Sequence, residues 1–180
     1  MRSILLSALV AVAVVACGGA EKPAPKAEKP AVEEPKKAEP APEAKPEAKA
    51  VEVGMDDGGE YPEVMIESDG DQMMYKQNAI TIKADTPTRI KMVNNAQSPA
   101  MVHNVVIVKK GEGDSVGQAA VTVSAEKNHV PVHASVLAAT KLAKPGETST
   151  VVVNLPAGEY EYICTFPGHY VMMKGVLTVE

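Results

Sequence analysis

Two kinds of chain are joined end to end in this sequence, and only one of them has the side chains to build a core. From residue 18 to about residue 50 it consists of Ala, Pro, Lys and Glu with almost no large apolar residue. Such a stretch buries too little surface to offset the entropy lost on ordering its backbone. Frequent Pro favours extended, polyproline-like conformations over a collapsed coil. The segment reads as a tether, and at about 3.1 Å per residue it reaches on the order of 100 Å when extended. A receptor-binding tail of the same composition is the alternative. Residues 54–59, rich in Asp and Gly, form a second flexible patch, and the packed part begins near Val64. There the pattern becomes one of short β-prone runs. Residues 79–83 and 88–93 alternate apolar and polar side chains, the period of a half-buried strand. Residues 102–108, 150–155, 159–163 and 175–179 are further apolar runs, and Asp85-Thr86-Pro87 and Leu155-Pro156-Ala157-Gly158-Glu159 are turns between them. Several short strands with turns between them predict an all-β fold, a Greek-key β-sandwich. Residues 113–144 interrupt the pattern as a helix-containing excursion, with helical segments expected at 118–123 and 135–141.

The N-terminus carries an export signal. Arg2 supplies a positive start, and residues 4–16 are uniformly apolar or small. A membrane span needs about 20 apolar residues, so this stretch is too short for a good one. It ends in Val14-Val15-Ala16-Cys17, which resembles the lipobox of bacterial lipoproteins. That resemblance implies a lipidated Cys17, a signal over 1–16, a lipid-anchored disordered linker over 17–61 and a folded domain over 62–180. The chain has 2 cysteines, so Cys164 is then the single thiol of an exported domain. In an oxidising compartment a lone thiol is a liability unless something occupies it. The net charge is −5 and the basic residues form no stripe, which argues against a nucleic-acid surface. With no Trp and 1 Phe, the core must be built from Val, Ile, Leu, Met, Ala and Tyr.

The chemistry is concentrated in Cys164-Thr165-Phe166-Pro167-Gly168-His169-Tyr170-Val171-Met172-Met173. One short turn offers a thiolate, an imidazole and a thioether, and a second imidazole stands far upstream at His103. Two imidazoles, one thiolate and a weak axial thioether are the donor set of blue copper sites. Soft sulfur suits Cu(I), imidazole suits Cu(II), and a compromise geometry serves both. Strand ends and loops gather at one end of a sandwich, where Cys164, His169, Met173 and His103 can converge. His129 and His133 have a His-x3-His spacing, but Pro131 between them argues against the helix that a metal pair would need. They read as exposed loop histidines.

Asp71-Gln72-Met73, Asn78-Ala79-Ile80-Thr81, Met101-Val102-His103-Asn104, Thr140-Lys141-Leu142 and the run from Cys164 to His169 followed by Met173-Lys174-Gly175 resemble azurin, in order and over residues 64–180. The resemblance implies one type 1 copper with His103, Cys164 and His169 in plane, Met173 axial and the Val102 backbone carbonyl as a weak fifth contact. It implies that Asn104 braces the Cys loop through Thr165, and that the Asn104 and Phe166 amides donate to the Cys164 sulfur. Second-shell bonds of this kind tune metal centres. Three positions depart from azurins: Val102 replaces a Gly, no cysteine pair is available for the usual disulfide, and Val105 replaces a Trp.

The resemblance further implies single-electron transfer rather than catalysis, because four protein ligands leave no ready position for a substrate. Met101, Pro167, Gly168, Val171 and Met172 are the expected apolar docking collar around His169. Expected partners are redox proteins, such as c-type cytochromes or a terminal reductase or oxidase, and a membrane through the N-terminal lipid, with no nucleic acid and no small-molecule substrate. The expected location is the periplasm or cell surface. Gly18 rather than Asp after Cys17 points by analogy to the outer membrane. A copper-binding or copper-delivery lipoprotein is the alternative function, and a structural lipoprotein a third.

Overall fold

A computed structural model describes residues 52–54 and 56–180. The expected signal, Cys17 and the linker up to residue 51 lie outside the described residues. Nine strands form two sheets. β1 (Glu52–Gly54), β7 (Thr148–Asn154), β4 (Thr88–Val93) and β2 (Glu63–Glu67) lie side by side in that order. The second sheet runs β3 (Ala79–Ile82), β9 (Lys174–Val179), β8 (Gly158–Ile163), β5 (Val106–Lys109) and β6 (Val136–Ala139). β2 pairs with β4, and β3 with β9, in parallel, and the other pairings are antiparallel. The inward residues of both sheets make one core: Ile66, Ile90, Met92 and Val153 meet Val105, Ile107, Tyr162 and Leu177. On β4 burial alternates residue by residue, with Thr88, Ile90 and Met92 inside, as the period-two reading of that run requires.

The excursion differs from its expected form. The one α-helix among the described residues, α1, spans Gly113–Ala120 and buries Gly113, Val116, Gly117 and Ala120. These positions follow the i, i+3, i+4, i+7 rule of a helix face. Its start is set from outside: the Glu161 carboxylate on β8 accepts from the Gly111 and Gly113 amides at 3.0 and 2.9 Å, placing negative charge at the positive helix end. Residues 135–141, expected as helix, instead supply β6, which pairs Val136, Ala138 and Ala139 with β5. Alanine favours helix locally, but the open edge of β5 offers hydrogen bonds and a core contact that propensity cannot match.

Two other boundaries move. The run 102–108 is regular strand only from Val106, because Val105 N–H is diverted to the Thr140 hydroxyl at 3.0 Å. Residues 52–54 and 56, within the stretch expected as linker, contribute β1 and Asp56, which forms a two-point ion pair with Arg89 at 2.7 and 2.8 Å. Gly59 O accepts a third bond from the same guanidinium. No helix among the described residues is long and apolar enough to cross a membrane.

Candidate metal centre

At one end of the sandwich the chain leaves β4 and β8, and the loops there carry the predicted donors. His103 sits in a single-residue bridge to Ala143, with N–H···O bonds of 3.1 and 2.7 Å in the two directions. Asn94, buried just past β4, clamps that bridge: its amide donates to Met101 O at 2.7 Å and to Ala143 O at 2.9 Å, and its own oxygen accepts from the Ser68 hydroxyl. Cys164 follows β8 directly, and its amide donates to Met173 O at 2.9 Å. Between them the loop turns at Gly168, whose φ of 85° is in the left-handed region that glycine enters without steric cost. His169 N–H then returns to Phe166 O, and Met173 N–H closes on His169 O at 2.8 Å.

This scaffolding brings three donor atoms together. His103 Nδ1 and His169 Nδ1 are 3.2 Å apart, and Cys164 Sγ lies 3.9 and 3.8 Å from them. His103 and Cys164 are fully buried, and His169 is 5 % exposed. Met173 is buried in the same core cluster as Cys164, and Val102 is half-buried beside His103. Burial lowers the His103 pKa to about 4, with a further push from His169, and burial also lowers that of His169. Both rings are therefore neutral near pH 7, as metal ligands must be. Burial pushes the Cys164 thiol up to about 12, against the opposing pull of the Asn104 and Phe166 amides that donate to it. Without a cation the protein thus holds a neutral thiol and two imidazole nitrogens facing one another in a dry site. An ion bonded at about 2.0–2.3 Å to nitrogen and sulfur fits donors with these separations. A mixed thiolate–imidazole set with no carboxylate favours copper over the hard cations. His103 Nε2 is buried with no hydrogen-bond partner, so no bond at its outer nitrogen orients the ring, and the bridge to Ala143 fixes only its backbone.

Asn104 and Thr165 join twice, Asn104 Nδ2 to Thr165 Oγ1 at 2.8 Å and Thr165 N to Asn104 Oδ1 at 2.9 Å. Pro167 and Gly168 are exposed, Met101 is half-buried, and Val171 and Met172 are 54 % and 60 % exposed. Several supports escaped sequence reading. Asn94 is one. Tyr75 is another, its hydroxyl donating to Asn104 O at 2.6 Å. Nothing in a single sequence separates these from ordinary turn and core residues. His129 and His133 are half-buried rather than exposed. Neither joins the one group of three or more potential metal donors among the described residues, which is His103, Cys164 and His169.

Comparison with known proteins agrees with this geometry. The family of copper binding proteins described as plastocyanin/azurin matches residues 62–180. Auracyanin-A of Chloroflexus aurantiacus is 34 % identical over 65 % of this chain and 74 % of its own length. Azurin of Pseudomonas denitrificans is 35 % identical over 61 % of this chain and 92 % of its own. The solved structure of auracyanin A, described as a "blue" copper protein, superposes with a TM-score of 0.61 at 33 % identity, covering 66 % of this chain and 98 % of that one. The matched residues are those that build the sandwich and gather its donors, and the chain accordingly belongs to the plastocyanin/azurin family as a blue copper electron-transfer protein.

Proposed function

We propose that His103, Cys164, His169 and the Met173 thioether would hold the copper, with the Val102 carbonyl as a further, weaker donor. The observation that carries this reading is the convergence of two Nδ1 atoms and one Sγ, all buried, within 4.8 Å of one another. Bound copper supplies a one-electron couple between Cu(I) and Cu(II). The chain's own residues do the rest. Core packing around Cys164 excludes water, and the Asn104 and Phe166 amides donate to Sγ. Those bonds favour the electron-rich thiolate of the reduced state and raise the reduction potential. The two Asn104–Thr165 bonds keep the loop from rearranging when the charge changes.

His169 is 5 % exposed, its sequence neighbours Pro167, Gly168, Val171 and Met172 are exposed, and Met101 beside the His103 segment is half-buried; these five residues form the candidate collar. We assign this collar as the docking face for redox proteins such as c-type cytochromes or a terminal reductase or oxidase. Such encounters use small, short-lived interfaces. The molecule works as a carrier rather than as an enzyme, tethered through lipid on Cys17 in the periplasm or at the cell surface. One feature of the fold supports a tether. β1 pairs Glu52 with Asn154 and Gly54 with Val152, whereas the ligand loops adjoin the Thr148 end of β7. The chain therefore enters the sandwich from the end away from the donors.

Optical and EPR spectra of the Cu(II)-loaded domain, with voltammetry, test the reading. Intense blue absorption and a reversible one-electron wave are expected, and Cys164→Ser should abolish both. A colourless protein that exchanges copper rapidly would instead support a delivery role. Blue colour persisting in Cys164→Ser would refute the ligand assignment.

A further inference from the structure

The excursion after α1 reaches the metal loops through two adjacent residues that the copper reading leaves unassigned. Asn128 and His129 both have φ of 53°, in the left-handed region. Asn and His enter this region more readily than most residues, but two in succession persist only where the surroundings hold them. The short 3-10 turn Ala125–Lys127 ends on Asn128, whose amide returns to Ala125 O at 2.8 Å. That closure accounts for Asn128 but not for what the pair does next. Asn128 O accepts from Asn104 Nδ2 at 2.9 Å, the same nitrogen that donates to Thr165. Asn128 Oδ1 accepts from Leu142 N at 3.0 Å, joining the excursion to the segment that bridges His103. His129 Nδ1 donates to Val123 O at 2.5 Å, which fixes the ring. Its edge then meets Phe166 at 5.3 Å and 80°, and Phe166 packs on His169 at 4.7 Å.

We propose that Asn128 and His129 are positioning residues of the metal centre, a brace that sets the Asn104 side chain and the Phe166 ring and so holds both amides that donate to Cys164 Sγ. The proposal rests on the copper reading for its functional meaning, but its structural content concerns the metal-free protein too. Asn128 acts on Asn104 through its backbone carbonyl, whose position the bond from Leu142 N–H to Asn128 Oδ1 fixes. His129 acts on Phe166 through ring packing, and through Phe166 on His169. The two contacts reach the two residues whose amides donate to Cys164 Sγ, so loosening either one weakens an N–H···S bond without altering a ligand.

Two measurements test it on the full chain. In the metal-free protein, amide hydrogen exchange of Asn104 and Phe166 should quicken about tenfold in Asn128→Gly and in His129→Ala, with the β4 and β7 amides unchanged. In the copper-loaded protein, the same variants should weaken Cu(I) binding relative to Cu(II) about tenfold, the low end of the effect of outer-shell partners, seen as a lower reduction potential and an altered EPR hyperfine splitting. Asn128→Gly keeps the left-handed turn available, so it removes the side-chain clamp without adding strain. Asn128→Asp retains an acceptor for Leu142, and His129→Phe restores an aromatic edge against Phe166. Both should move the readouts back toward wild type. Unchanged exchange and potential in Asn128→Gly and His129→Ala would overturn the brace, as would equal acceleration of the β4 and β7 amides. If wild type takes up no copper with a blue signature, the functional reading fails, and the metal-free exchange still decides whether the brace exists.

Discussion

Cys164 and His103 are held in protonation states that prepare them for a cation in opposite ways. The thiol, pushed up to about 12 by burial, keeps its proton at neutral pH, while His103, lowered to about 4, keeps none to lose. Copper binding at pH 7 should therefore release close to one proton per ion, from Cys164 alone. Calorimetric titration in two buffers of different ionisation enthalpy measures that number, and a value near zero would contradict the thiol assignment. His103 also ties the stability of the metal-free protein to pH. The unfolded ring titrates near 6.5 and the folded one near 4, so between these values the unfolded chain binds the extra proton. Stability then falls as the pH drops from about 6.5 to about 4, by on the order of 3 kcal/mol, and this contribution changes no further below. Urea unfolding of the metal-free protein at pH 7 and pH 4.5 should show the loss, and His103→Gln should flatten it.

At the scale of elements, α1 shows packing overruling propensity. Gly117 lies inside the helix, where alanine is ordinarily better by about 1 kcal/mol. Here a Cβ would fall inside the Tyr170 ring, next in sequence to His169. Overpacking of this kind costs about 1–3 kcal/mol, so the two effects oppose and the clash wins. Gly117→Ala should lower the urea midpoint, and because Tyr170 must move, the optical band of the copper-loaded protein should shift with it. A stabilised variant with an unchanged spectrum would show that the ring yields freely. The same competition explains β6. Residues 135–141 read as helix because Ala138 and Ala139 favour one, yet β5 lacks a second neighbour until they pair with it.

At the scale of the whole molecule, the first described residues are fastened to the sandwich. β1 and the Asp56–Arg89 pair fasten residues 52–56 to the β7–β4–β2 side of the sandwich, and Arg89 also stacks over Tyr61 at 5.3 Å. Removing residues 1–58 should lower the thermal midpoint, by about 3–5 °C for each kcal/mol lost. It should leave the blue spectrum and the reduction potential unchanged, because β1 pairs with the Asn154 end of β7, away from the donors. A spectrum altered by the truncation would mean that β1 influences the site through the core.

Much of the site was legible in one dimension because its donors are chemically rare and closely spaced. A cysteine followed within nine residues by an imidazole and a thioether has few other uses, and alternating Val, Ile and Thr marks strands whatever lies across from them. What the tertiary structure alone decided were the contacts between residues far apart in sequence. Asn94 on Ala143, Tyr75 on Asn104 and Asn104 on Asn128 are separated by 49, 29 and 24 positions. Each is a polar side chain of a common type, and nothing local indicates which backbone group it will meet. The same holds for β6 and β1, where an unpaired neighbouring strand, not the segment's own residues, settled the conformation. Donor identity is a property of the residue and survives in sequence, whereas burial, pairing and bracing are properties of neighbours and exist only once the chain has folded.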